Sequence, residues 1–223
     1  MNIYENEVIM LSLQPDTSNP HAQCFDRPCI VMKVYNEKTC LIIPCTSVMS
    51  KKPLPTHVLL RTRWAKKTIA LAEQMTTISL DIVRKGKYKA TLCKEDVKDL
   101  WDAISIQLGL QEDHRFNRVK GNVFSLDTEK TNEKFSKYVV LSNKMCNIYS
   151  PVWHVAPMSE DGDEERESVF TTDGELNYIN LKDIRLVAKD SLRPTGEKLK
   201  YGSIEQINRT LINYLQQEEM VCR

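Results

Sequence analysis

Apolar residues in the first part of the chain come in short runs separated by turn formers, and this pattern predicts strands. Glu7–Leu13, Pro28–Val34 and Cys40–Pro44 are rich in Val, Ile and Leu, with Pro15-Asp16 and Asn36-Glu37 between them. Three shorter runs follow at Thr56–Leu60, Thr68–Ala72 and Met75–Ile78. Then the period changes. From Lys94 to Leu110 the apolar positions are Val97, Leu100, Trp101, Ile104 and Leu108, the spacing of an amphipathic helix, and Gly109 supplies the stop. Short strands closed by one helix predict a small barrel or curled sheet.

The second part repeats that order. Asn122–Asp127, Tyr138–Ser142, Val152–Ala156, Leu176–Ile179 and Ile184–Val187 read as strands, followed by a helix from Ser203 to Leu215. Its apolar residues Ile204, Ile207, Leu211 and Leu215 match Val97, Leu100, Ile104 and Leu108 at a constant offset of 107. Ser203 with Gln206 predicts a capping box, and Asp96 with Asp99 partly echoes it. Pro44-Cys45-Thr46 and Pro157-Met158-Ser159 each end an apolar run. The expectation is an internal duplication, with domains at 1–112 and 118–223 and a polar linker near 111–120. The alternative is one larger α+β domain.

Composition narrows the class of function. At 223 residues, with 41% hydrophobic and 27% charged positions, the chain has the balance of a globular protein. A net charge of +1 argues against a broad polyanion-binding field but permits a local basic groove. Residues 1–112 carry 15 Lys and Arg against 12 Asp and Glu, whereas 113–223 carry 16 against 18. A polyanion therefore favours the first half. The seven cysteines include no C-x-x-C pair and sit mostly in apolar runs, as buried thiols do. No apolar run approaches the roughly 20 residues that span a bilayer, so a reduced cytoplasmic protein without membrane contact is expected. Scattered histidines and the lack of a Gly-rich loop or zinc spacing predict no metal and no cofactor.

Between the first two strands lies His21-Ala22-Gln23-Cys24-Phe25-Asp26-Arg27-Pro28. This segment resembles the first loop of the MazF/PemK family of toxin ribonucleases. The resemblance continues in order through Glu7-Val8, Ile42-Ile43-Pro44-Cys45-Thr46-Ser47, Pro55-Thr56-His57-Val58, Glu73-Gln74 and Leu108-Gly109-Leu110. It implies a mainly β, α+β chain of two tandem SH3-like barrels of MazF/CcdB type, each closed by a C-terminal helix. The two would pack as an intramolecular pseudo-dimer, so the chain could be a monomer. The second copy would be degenerate.

The implied chemistry is RNA cleavage without a metal. Arg27 can hold phosphate oxygens with charged donors, Thr46 can donate a hydroxyl hydrogen bond to them, and His21 titrates near neutrality. The resemblance assigns Arg27, Thr46 and His21 to catalysis, with Gln23, Ser47, Thr76 and Thr77 lining the RNA. Thr46-Ser47 could equally cap a turn, and His57 reads as structural. The pattern breaks where the family has an Arg and an Asp, since this chain has Thr76 and Ser79. In the second half Ser136-Lys137 replaces Arg-Pro and Ser159 replaces Thr46, while Arg185 keeps the missing Arg and is expected to reach the shared groove. Arg84, Lys85 and Lys87, with Tyr88, form a basic run that reads either as a phosphate-contacting segment or as a solvated loop before the helix. The acidic run 160–167 reads as a solvated loop or as a patch repelling RNA.

Two classes of function follow. The first is an endoribonuclease acting on single-stranded RNA and held in check by an antitoxin. The second is a non-catalytic RNA- or protein-binding module, or a topoisomerase-poisoning toxin, on the same fold.

Overall fold

In the computed structural model, residues 2–13, 25–35, 38–48, 54–62, 64, 67–110, 119–126, 137–159, 169–172 and 175–216 are described. The chain divides into two units, Met1–Leu108 and Gly109–Arg223. Each contains one seven-stranded sheet, and the strand pairings among the described residues are antiparallel. The mainly β, α+β class expected from the sequence is observed.

The first unit holds β1 (Glu7–Leu13), β2 (Phe25–Tyr35), β3 (Thr39–Thr46), β4 (His57–Leu59), β5 (Ile69–Leu71), β6 (Thr76–Ser79), α1 (Leu80–Arg84), β7 (Lys87–Thr91) and α2 (Lys94–Leu108). Its strand order is β4-β5-β3-β2-β1-β7, with β6 also paired to β3. The second unit holds β8 (Asn122–Leu126), β9 (Lys137–Val140), α3 (Lys144–Tyr149), β10 (Val152–Ser159), β11 (Val169–Thr172), β12 (Glu175–Ile179), β13 (Arg185–Ala188), β14 (Leu192–Lys198) and α4 (Tyr201–Gln216). Its order is β11-β12-β10-β9-β8-β14, with β13 paired to β10. Strand for strand, this is the first arrangement again.

The cores follow from strand alternation. Ile9, Leu11, Cys29, Val31, Cys40 and Ile42 point to one face of the first sheet and meet Leu80 and Val83 of α1. In the second unit Phe124, Leu126, Tyr138, Val140, Trp153 and Val155 do the same. Phe124 packs edge-on against Trp153 with centroids 5.4 Å apart. Both helices bury the stripe read from the sequence, Leu100, Ile104 and Leu108 in α2, and Ile204, Ile207, Leu211 and Leu215 in α4.

Several elements differ from the sequence reading. The basic segment 84–89 is not a loop: Arg84 ends α1 and Lys87 begins β7, an edge strand whose exposed residues carry no apolar alternation to reveal it. Gly86 makes that turn possible, because a Cβ there would lie 2.5 Å from Ile9 Cγ2 and 2.6 Å from Leu11 Cδ2. Ser203 lies inside α4, which begins at Tyr201, so it is not the helix cap. Asp96 likewise serves a different partner. Its buried carboxylate accepts from the backbone N–H of Arg61 at 2.9 Å and of Thr62 at 2.8 Å, stitching the segment after β4 to α2.

Burial works to raise the Asp96 carboxyl, yet the hydrogen bonds from Arg61 and Thr62 outweigh it and hold the group below the usual carboxylate range. A depressed folded value means that its stabilisation is present above the ordinary, unfolded carboxylate range and is lost as pH falls through the lowered value. Asp96→Ala leaves two buried amides without acceptors and should destabilise the protein by about 2–4 kcal/mol in urea unfolding at pH 7. The difference from the parent should shrink in acid, below the folded value.

Candidate functional site

The site is built by the pairing of β2 with β3. Cys29 lies opposite Pro44 and Ile30 opposite Ile43. The pairing runs as far as Cys29 with Pro44, and continuing its register two residues sets Arg27 opposite Thr46, with both side chains on one face. On its other side Arg27 is opposite Leu11 of β1, and Thr46 is opposite Ile69 of β5. Arg27 is half-buried at the rim of the core. Thr46 Oγ1 accepts from Val48 N at 3.1 Å, and its proton finds no acceptor among the described residues, which leaves the hydroxyl able to donate.

The charge on Arg27 is felt by its neighbours. Burial pushes the Cys29 thiol up to about 12 against the opposing pull of Arg27, and pushes Cys45 up with the same opposition. Cys40, also buried, is pushed up to about 12. Such thiols stay protonated and are packing groups, not nucleophiles.

The remaining expected residues fall into place as follows. His21 and Gln23 lie outside the described residues. Ser47 is exposed just past Thr46. Thr76 is opposite Ile42 and therefore shares the face of Thr46, whereas Thr77, opposite Leu41, faces the other way. Ser79 caps α1 by accepting from Asp81 N at 3.3 Å. Arg84 is paired with Asp81 at 3.0 Å, while Lys85 and Lys87 are exposed at the far edge of the sheet.

Arg185 of the second unit occupies the place that Thr76 has in the first, since it is opposite Val155 as Thr76 is opposite Ile42. It is already engaged. Its Nε and Nη2 donate to Asp183 at 3.0 and 2.7 Å, Nη1 donates to the Tyr138 hydroxyl at 3.3 Å, and the guanidinium lies 5.8 Å from the Tyr138 ring centroid. Ser159, opposite Tyr178 of β12, stands where Thr46 stands opposite β5, but Ser136 lies outside the described residues.

Two residues escaped sequence reasoning. Gln74, in the single 3-10 turn between β5 and β6, has a buried Oε1 without a hydrogen-bond partner among the described residues. Glu73 beside it accepts from Thr56 Oγ1 and from His57 Nε2, both at 2.9 Å. The Leu54 N–H donates to His57 Nδ1 at 3.3 Å, so the ring keeps its proton on Nε2 and both nitrogens are occupied. The motif Glu73-Gln74 was visible, but which residue braces and which offers an acceptor depends on the fold. A cleft of about 980 Å³ opens beside His57, Leu59, Arg61, Lys67, Asp102 and Ile106. Within it Arg61 is bound to Asp99 at 2.6 Å and His57 is fixed by Glu73. Among the described residues no three His, Cys, Asp or Glu side chains cluster as metal ligands, and no helix is long and apolar enough to cross a membrane.

Residues 4–108, just under half of the chain, match the family of PemK-like, MazF-like toxins of type II toxin-antitoxin systems. Among solved structures the chain is similar to MazF from Deinococcus radiodurans, at 16% identity over 47% of this chain and 94% of that one, with a TM-score of 0.41. It is also similar to a mycobacterial endoribonuclease in complex with its cognate antitoxin, at 14% identity over 49% of this chain and 97% of that one, TM-score 0.39. A third is the Mycobacterium tuberculosis toxin MazF-mt6, at 14% over 44% and 92%, TM-score 0.35. None of the curated proteins compared matches the chain.

Removing the Ser79 cap by Ser79→Ala should cost about 1 kcal/mol in thermal or urea unfolding, and Ser79→Asp, itself a good cap, should cost none. Equal losses in the two variants would show that the cap is not what Ser79 contributes.

Proposed function

We propose that the first unit is a metal-independent endoribonuclease acting on single-stranded RNA. The observation that carries this reading is the β2–β3 register, which pairs Cys29 with Pro44 and, continued two residues, sets Arg27 opposite Thr46 on one face of the sheet. A guanidinium with fixed charge and a hydroxyl able to donate can together hold the non-bridging oxygens of one phosphodiester and stabilise the charge that builds on phosphorus. The 2′-oxygen then attacks phosphorus, its proton passes to a base, the bond to the 5′-oxygen breaks and that oxygen is protonated. The product is a 2′,3′-cyclic phosphate with a free 5′-hydroxyl. His21 is the proposed proton carrier, with Gln23, Ser47 and Thr76 along the RNA.

Arg185 takes no part in this reading, because withdrawing its guanidinium would leave Asp183 without its partner. We take the second unit to be a degenerate duplicate of the first, on the ground of its identical strand order. The family match of the first unit supports an antitoxin as protein partner and a cytoplasmic location.

One observation favours a second reading, a binding module without catalysis. Thr76 and Ser79 stand where the family carries an Arg and an Asp, and Ser79 is committed to capping α1. A defined RNA incubated with the chain in EDTA separates the two. For the enzyme, cleavage at ordered sites with cyclic-phosphate ends is expected, falling at least about 10²-fold in kcat for Arg27→Ala and strongly for Thr46→Ala. RNA that is bound but intact, or cut equally by parent and Arg27→Ala, would defeat the enzymatic reading.

A further inference from the structure

We propose that Lys85, Tyr88 and Lys89 form a second subsite for single-stranded RNA, which holds nucleotides flanking the cleaved bond; it rests on the RNA reading of the groove. The first ground is position. Arg27 is opposite Leu11 of β1, and continuing the pairing of Met10 with Lys87 by one residue sets Leu11 opposite Gly86. The segment therefore lies two strand spacings, about 10 Å, from Arg27 along one row of the sheet.

The second ground is chemistry. Tyr88 is opposite Ile9, on the face that Leu11 and Arg27 share. Its ring is 50% exposed, and its hydroxyl is held 3.1 Å from Thr91 Oγ1, which fixes an aromatic plane in solvent. Every base has a face that can stack on such a plane, whatever its sequence. Lys85 and Lys89 are exposed beside it and have no ion-pair partner among the described residues, unlike Arg84, whereas Lys87, opposite Met10, leaves the other face. In a chain of net charge +1 such a cluster is a local field.

Lysines on an edge strand also guard against unwanted pairing, and here the register shift between Val8 and Ile9 leaves Lys89 as the extra residue of a bulge. That guard makes the edge a poor template for an added peptide strand. It does not account for a tethered, half-exposed tyrosine among the cations. Stacking and phosphate contact account for both.

The test is fluorescence anisotropy with two labelled RNAs, a trinucleotide covering the cut site and a longer strand with flanks on both sides. For Tyr88→Leu the Kd of the longer strand should rise about 5- to 100-fold, with the trinucleotide changed far less. Replacing Lys85 and Lys89 by alanine should make the salt slope of the longer strand shallower by about 1, and Lys87→Ala should change it far less. Tyr149→Leu, at a still more exposed aromatic of the second unit, should bind as the parent does. Parent-like binding by Tyr88→Leu, or equal losses on both RNAs, overturns the subsite. So does a glutamate-rich peptide whose binding, and not that of RNA, falls in these variants. If Arg27→Ala cleaves normally while Tyr88→Leu still loses the longer strand, the groove reading fails and the subsite stands.

Discussion

One irregularity in one strand pair decides what the first unit can do. Near the turn, β2 and β3 pair Tyr35 with Thr39 and Lys33 with Leu41, but beyond Met32 the partners become Val31 with Ile42 and Cys29 with Pro44. Met32, wholly buried, is the extra residue. Without that bulge Arg27 would stand opposite Ser47 and the whole outer half of β2 would turn its faces over. With it, Cys29 and Val31 enter the core, and the register continued outward sets the half-buried Arg27 opposite Thr46. The site is thus a by-product of how the core is packed.

Around that register the polar side chains divide between bracing and acting. Glu73, held by Thr56 and His57, fixes the corner between β5 and β6, where Gln74 sits. Asp96 fixes the segment after β4 from the other side. These groups have their hydrogen bonds filled within the protein and have little left to offer a ligand. Thr46 keeps a donor, and Gln74 keeps an acceptor. The second unit shows the opposite balance at the equivalent place, where Arg185, Asp183 and Tyr138 satisfy one another. The same strand order therefore supports a receptive surface in one copy and a self-satisfied one in the other.

Much of the framework was legible in the sequence because burial writes itself as periodicity. β1 falls at Glu7–Leu13 as read, and both helices bury the apolar stripes that marked them. β7 and β14 were missed, since edge strands such as Lys-Tyr-Lys-Ala-Thr and Leu-Arg-Pro-Thr-Gly-Glu-Lys bury too little for alternation to show. The short helix α3, with Met145, Ile148 and Tyr149 exposed, lacked any amphipathic signal. At the site, motif order singled out Arg27 and Thr46, but their juxtaposition depends on a bulge that no local pattern announces. The engagement of Arg185 by Tyr138, 47 positions away in sequence, was equally out of reach.

The buried Met32 kink also bears on how such a chain can change over generations. Side-chain replacements along β2 and β3 alter one contact at a time, whereas one residue gained or lost inside either strand would invert inward and outward positions beyond it together.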